Sequence, residues 1–308
     1  MSETKKRHKG RKIVLVLFLL LLILGLLLLV RVYPVWRAAG FLAENLNLNR
    51  FTYELEAELN RDKMEESRVK LLDTLAELTG LEQEAMYRLK IQGSVDGDVI
   101  HAQIFPEGRN QPLIEFYLGD SEDVVNGALL YNEVRSHYAG ENELLAYVLP
   151  VWSDHEFVSL EQLEQILDLD LGAVKDFRLA FTERKLSAGE LFAALAVMKR
   201  EQSGSRCSFT LTEGEARAEL TVDYEAEFPV RVELTAPKPG ELLDDVSGKL
   251  SKFGISVSGE KLYFLDALSA AAEPGRGEAL QIPENRISDK TVEIISAIRF
   301  VIEEISGK

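Results

Sequence analysis

Phe51, Tyr53, Leu55, Ala57 and Leu59 alternate without a break with Thr52, Glu54, Glu56, Glu58 and Asn60. A strict period of two describes a strand with one buried face and one wet face. The next stretch changes period: Met64, Leu71, Leu72, Leu75 and Leu78 fall on one side of a helix that Gly80 stops, and this helix is expected to cover the face the strand buries. From Tyr87 the period of two returns, with Tyr87, Leu89, Ile91 and Val95 against polar neighbours, a turn at Asp96-Gly97, and a return over Val99 to Phe105. Asp-Gly between alternating segments predicts a two-residue hairpin of type I′, with positive φ at both central residues. A loop from Pro106 to Pro112 leads into a strand over Leu113 to Leu118, and Asn126-Gly127 predicts another hairpin before a strand over Ala128 to Val134.

The middle of the chain reads as more helical. Ser159 with Gln162, and Ser187 with Glu190, match capping boxes, in which two side chains satisfy free amides at a helix start. Leu191, Phe192, Leu195 and Met198 then form an amphipathic stripe that ordinary core packing explains. Arg206 to Leu211, Glu215 to Glu225 and Pro229 to Ala236 form a second meander. Its middle strand places Ala216, Ala218, Leu220, Val222 and Tyr224 inward and Glu215, Arg217, Glu219, Thr221 and Asp223 toward water. Pro237 to Gly240 ends the sheet run, Leu242 to Phe253 reads as helix and Glu273 to Gly277 as loop. A last helix from about Asp289 to Ile305, capped by Ser288, carries Val292, Ile295, Ile298, Ile302 and Ile305 on one stripe.

One segment follows neither period. Ile13 to Val30 is eighteen consecutive uncharged, mostly apolar residues, roughly 27 Å as a helix, close to the hydrocarbon thickness of a bilayer. Lys5, Lys6, Arg7, Lys9, Arg11 and Lys12 precede it against a lone Glu3, so the positive-inside rule places the first twelve residues in the cytoplasm. Tyr33 and Trp36 suit an outer interfacial belt. A cleaved signal peptide, with Ala38-Ala39-Gly40 as its processing site, is the competing reading, and the length of the apolar core favours an anchor. The expected organisation is a cytoplasmic basic tail (1–12), a transmembrane helix (13–32), a juxtamembrane helix (33–48) and an extracytoplasmic domain (49–308). The fold class expected for the whole is α+β: the N-terminal membrane helix, then a curved antiparallel sheet, an incomplete barrel of about ten strands, packed on amphipathic helices.

Charge narrows the partners. The chain carries a formal charge of −16, and since its first twelve residues contribute +5, the part beyond Val30 carries −21. Nucleic acid is excluded as a partner of so acidic a domain, which its phosphates would repel along with the headgroups of anionic lipids. Cys207 is the only cysteine, so no intramolecular disulfide forms, and its alternation with Phe209 and Leu211 marks it as a small core residue.

Candidate chemistry is sparse. His101, His137 and His155 have no partner at an informative spacing, and no nucleophile-elbow, zinc-protease, Cys-x-x-Cys or phosphate-loop pattern occurs. Glu54, Glu56 and Glu58 share one strand face about 7 Å apart, a spacing open to a hard cation and equally to a solvated surface. No catalytic residue, metal or cofactor is expected.

The segments Ile91-Gln92-Gly93-Ser94-Val95-Asp96-Gly97-Asp98, Ile114-Glu115-Phe116-Tyr117-Leu118-Gly119 and Asn126-Gly127-Ala128-Leu129-Leu130-Tyr131-Asn132 succeed one another in an order that resembles the LolA/LppX-like superfamily of envelope lipid and lipoprotein carriers. The resemblance implies an incomplete antiparallel barrel closed by helices around an apolar cavity, in proteins that carry lipoproteins, bind lipids or sense envelope stress. A tethered version cannot shuttle freely, which moves the expectation toward a sensor or a fixed handover station. The chain is therefore expected to be a single-pass membrane protein whose outer domain binds an apolar ligand, lipid or lipoprotein without catalysis. Phe51, Tyr53, Tyr87, Leu89, Phe116 and Tyr131 are its candidate cavity residues. A protein-interaction ectodomain using the acidic face or the sheet edges is the alternative, and an enzyme of unknown reaction the second alternative.

Overall fold

The computed structural model describes residues 28–46, 49–120, 122–141, 147, 151–153, 156–167, 187–242, 244, 262–293 and 296. Five helices and eleven strands are defined among them: α1 (Tyr33–Asn45), β1 (Arg50–Leu59), α2 (Glu66–Thr79), β2 (Arg88–Asp96), β3 (Val99–Pro106), β4 (Ile114–Leu118), β5 (Asp123–Asn126), α3 (Gly127–Glu141), β6 (Phe157–Ser159), α4 (Leu160–Leu167), α5 (Ala188–Ala196), β7 (Lys199–Ser203), β8 (Arg206–Glu213), β9 (Ala216–Asp223), β10 (Val230–Pro237) and β11 (Leu265–Pro274). The strands form one curved, open, antiparallel sheet in the order β6-β5-β4-β3-β2-β1-β11-β10-β9-β8-β7. The class is α+β, as the alternation of periods implies.

Two up-and-down meanders, β1–β6 and β7–β10, are joined by β11. This strand enters from the end of the chain and pairs with β1 on one side (Tyr53 opposite Ala272, Leu55 opposite Ala270) and with β10 on the other (Val232 opposite Ala272, Leu234 opposite Ala270). Reading the sequence misses β11, because Leu-Ser-Ala-Ala-Ala carries no β-branched or aromatic residue and alanine favours helix. Pairing on both edges overrides that propensity. Glu273 and Pro274, expected in a loop, belong to this strand. β7, short and polar, is likewise unexpected from the pattern.

The first strand, its covering helix up to Gly80 and both capping boxes stand as the pattern predicts. Gln162 N donates to Ser159 Oγ (3.1 Å) and Ser159 N to Gln162 Oε1 (2.9 Å). At the start of α5, Glu190 N donates to Ser187 Oγ and Ser187 N to the Glu190 carboxylate. The expected final helix starts as capped by Ser288, whose Oγ accepts from Thr291 N. Its positions Ile295, Ile298, Ile302 and Ile305 lie outside the described residues, as do Ile13 to Leu27 of the apolar run and nearly all of Leu242 to Phe253. Leu28–Val32 form a π-helical turn that continues into α1 without a side-chain cap.

Three local expectations are corrected. At Asp96-Gly97 the loop is Gly97-Asp98, and positive φ occurs at Gly97 alone, the type II′ arrangement in place of I′. The hairpins at Gly204 and Gly214 follow the same rule, with glycine first of the two loop residues. Tyr87 ends a 3₁₀ turn (Gln83–Tyr87) before β2 begins. Asn126-Gly127 is no hairpin: it joins β5 directly to α3, so Tyr131 sits on a helix. The Asn126 amide is committed to Glu115, and Gly127 serves close packing, since a Cβ there would meet Val158 and Trp152 at 3.2 to 3.4 Å.

Gly93, in the interior of β2, sets a further constraint. A Cβ on it would come within 2.1 Å of the His101 carbonyl oxygen and 2.6 Å of the Tyr53 hydroxyl. The Tyr53 ring from β1 lies over this gap, 5% exposed, and its hydroxyl donates to the His101 carbonyl on β3 (3.0 Å). Burial pushes the hydroxyl's pKa well above the usual phenol range. One tyrosine thus spans three strands, filling what the glycine leaves open. Gly93→Ala is expected to destabilise the domain by about 1–3 kcal/mol or more, the range for overpacking a core, read as a lower denaturant midpoint; an unchanged midpoint would refute the contact.

Candidate functional site

Residues directly opposite in an antiparallel ladder share a face. Following the register from edge to edge gives one row: Arg200, Phe209, Leu220, Val232, Ala272, Tyr53, Gly93, Ala102, Phe116, Val125 and Val158. Arg200 is its one charged member. The sheet therefore presents a continuous apolar face, the face that needs a cover.

Two separate groups of helices cover it. Over β1–β6 lies a core to which α2 contributes Leu75 and Ala76, α3 Ala128 and Leu130, and α4 Leu160 and Leu163. Over β8–β10, α1 (Ala38, Ala39, Leu42) and α5 (Leu191, Leu195) pack on Cys207, Phe209, Val222 and Val230. Neither cluster includes Val232, Leu234 or Ala270. Val232 is 37% exposed, and Leu234 and Ala270 are half-buried. Small side chains of β11 thus floor an apolar strip between the two cores.

The six sequence-predicted residues do not gather at this strip. Phe51, Tyr53, Phe116 and Tyr131 belong to the larger cluster, where Phe51 meets Tyr53 at 6.0 Å between centroids and Tyr131 stacks on Trp152 at 4.0 Å. Leu89 lies on β2 opposite Ala57 and Pro106, half-buried. Tyr87 is buried outside the strip: its hydroxyl donates to Asp73 (2.8 Å), and burial, then that hydrogen bond, pushes its pKa up to about 12. The strip residues escape sequence reasoning because their neighbourhood depends on β11.

The opposite face is polar. Lys90 pairs with Glu54 (2.5 Å), Arg88 with Glu58 (3.3 Å), Arg217 with Glu219 (2.6 Å) and Arg231 with Glu233 (2.8 Å). The cross-strand lysine beside Glu54 holds its carboxyl below the usual range. A hollow of about 410 Å³ opens here over Ser269 and Ala271, between Glu54 and Glu56 on one side and Glu219 and Glu233 on the other. Bases interleave these carboxylates, and among the described residues no group of three or more histidine, cysteine or acidic side chains is placed to hold a metal. Thr221, expected at the wet surface, is 7% exposed and bonded to Ser208 (3.2 Å).

Toward β6 this polar face closes over. His101 gains the partner that sequence spacing does not reveal: its Nε2 lies 3.0 Å from Glu115 Oε1, with side chains 18% and 13% exposed. Gln103 donates to the same oxygen (3.1 Å) and Asn126 to Glu115 Oε2 (2.8 Å), while Tyr117 stacks on the His101 ring. His137 lies on α3 against Gly80, and His155 falls outside the described residues. Burial drives the Glu115 pKa upward, but His101, Asn126 and Gln103 together bring it below the ordinary value. A carboxyl lowered by folding contributes stability that is present above its unfolded pKa and lost as pH falls through the folded one. Urea unfolding across the acid range is therefore expected to show falling stability below about pH 4.5, with a shallower fall in Glu115→Gln, which at neutral pH loses about 1–3 kcal/mol. Parallel profiles for the two proteins would remove Glu115 as the cause.

Among the described residues no helix is long and apolar enough to cross a membrane. Val30, Val32, Tyr33 and Trp36, where the chain enters α1, are nonetheless exposed, Trp36 by 54%. The sequence matches no family model and no curated protein.

Proposed function

We propose that this protein is a single-pass membrane protein whose extracytoplasmic domain binds an apolar ligand, a lipid or the acyl chains of a lipoprotein, in the strip between its two helix-covered cores, without catalysis. The observation that carries the reading is the apolar floor between the two cores: among the described residues, Val232, Leu234 and Ala270 lie on the buried-type face of the sheet yet belong to neither core, and Val232 keeps 37% of its surface accessible. Accessible apolar side chains with little polar decoration suit an alkyl chain. The open, curved antiparallel sheet with helices on one face agrees with the architecture that the LolA/LppX-like resemblance implies. The exposed Val30, Val32, Tyr33 and Trp36 support a membrane boundary just before α1.

Tryptophan at position 270 would rise from the floor of the strip into the space a chain would occupy, while its neighbours Leu55 and Leu234 stay in place. The full-length protein is expected to retain lipid on purification, detected by native mass spectrometry and organic extraction. Ala270→Trp is expected to reduce that lipid by roughly tenfold, the factor lost with 1.4 kcal/mol of binding, with an unchanged circular dichroism spectrum. Equal lipid in both proteins, or none in the wild type, would reject the strip as a ligand site.

A further inference from the structure

Arg200 stands where a charge is least expected. It is directly opposite the fully buried Phe209, on the apolar face of the sheet, in the edge strand β7. Its Nη2 donates to the carbonyl of Val30 (3.3 Å), a residue 170 positions away, at the point where the apolar run ends. Its Nη1 is buried with no acceptor among the described residues. The side chain is half-buried, and a guanidinium nitrogen shielded from water without an acceptor is costly, so the site favours a negative partner.

One further arginine comes to the same place, and another adjoins it in the chain. Arg31 follows Val30 in the π-helical turn and is exposed. Arg37, one helical turn and a half along, lies over the Tyr224 ring at 4.6 Å, and both Arg37 and Arg200 act electrostatically on the Tyr224 hydroxyl. Two nearby carboxylates are engaged by other groups: Glu190 at the α5 cap with Ser187, and Glu201 with Lys199 (2.7 Å). A domain of charge −21 beyond Val30 thus carries a cationic corner, bordered by exposed Val30, Val32, Tyr33 and Trp36, at the point where the apolar run ends.

We propose that Arg31, Arg37 and Arg200 form a binding site for the phosphate of an anionic phospholipid headgroup at the outer membrane surface, its acyl chains remaining in the bilayer beside Tyr33 and Trp36. Arginine presents a planar fork of donors matched to phosphate oxygens. The bordering apolar residues favour a lipid over a free anion, and the anionic-lipid repulsion expected from net charge is reversed locally. The inference rests on the membrane-anchored reading above, but not on the ligand strip.

The chain's two tryptophans permit a direct test, since Trp36 is exposed one residue from Arg37 whereas Trp152 is buried in the other core. Full-length protein is reconstituted into phosphatidylcholine vesicles containing either phosphatidylglycerol or further phosphatidylcholine with brominated acyl chains, and quenching of tryptophan emission is compared. Preferential quenching by the anionic lipid is expected, with the preference falling by roughly fivefold for each arginine neutralised. Arg31→Gln/Arg37→Gln removes no buried side chain and tests the site without Arg200; adding Arg200→Gln, with circular dichroism as the check on folding of every variant, should abolish the preference. Equal quenching by both lipids, or a preference that survives the substitutions, would overturn the proposal. Loss of the preference on adding inorganic phosphate would reassign the site to a free anion. Failure of the protein to float with vesicles would overturn the anchor and the site together, an outcome distinct from flotation without lipid preference.

Discussion

Everything in this fold depends on the double pairing of β11. Its backbone closes hydrogen-bonded ladders with β1, more than two hundred residues earlier, and with β10. Without it, the two meanders would each expose an unpaired edge and would have separate apolar faces. Its side chains contribute little bulk: Ala270 and Ala272 on one face, Ser269 and Ala271 on the other. The same smallness makes room above and below, producing the apolar strip on one side and the charged hollow on the other. Loop closure over so many residues costs only slowly more with length, but it makes the central contact of the sheet the least local one, a feature of slow folding.

The outer strands have different protection. On the β6 side, the chain after β11 returns along the rim, where Leu280 N donates to Asp96 (3.1 Å). It then lies beside β6, with Phe157 N donating to the Asn285 carbonyl (3.1 Å) and Ile287 N to the Phe157 carbonyl (2.9 Å). Arg286 pairs with Glu122 at the same rim (2.9 Å). On the other side β7 is short and carries Lys199, Arg200 and Glu201, charges that discourage pairing with another sheet. The polar face is held differently again. Glu219 and Glu233 stand directly opposite each other, a repulsive arrangement relieved by Arg217 and Arg231. These pairs are exposed enough that each is worth at most about 1 kcal/mol, so they set the character of the face more than the stability of the fold.

The corner around Val30 and Arg200 shows how net charge can mislead. The overall acidity of the domain implies repulsion from anionic surfaces, yet long-range tertiary contacts bring Arg200 to Val30 and place it with Arg37 around Tyr224. Short-range fields follow the arrangement of charges, not their sum, because screening limits their reach to about one Debye length, roughly 8–10 Å.

What the sequence determined by itself was local and periodic. The alternation from Phe51 to Leu59, the helix ending at Gly80, the capping boxes at Ser159 and Ser187 and the wet row Glu54, Glu56 and Glu58 were legible because side-chain direction in a strand or helix is fixed by the backbone of that segment alone. The core positions of Phe51, Tyr53 and Phe116 were legible for the same reason. What only the tertiary structure decided was which of two permissible local forms a segment took and which distant segments met. The run Leu268 to Ala272 became strand because β1 and β10 offered it both edges, and Ala128 to Val134 became helix because Asn126 and Gly127 were already used by Glu115, Val158 and Trp152. The strip of Val232, Leu234 and Ala270, the Glu115 and His101 pair, and the Arg200 corner exist only through such meetings, since their energies come from neighbours in space to which no period in the chain points.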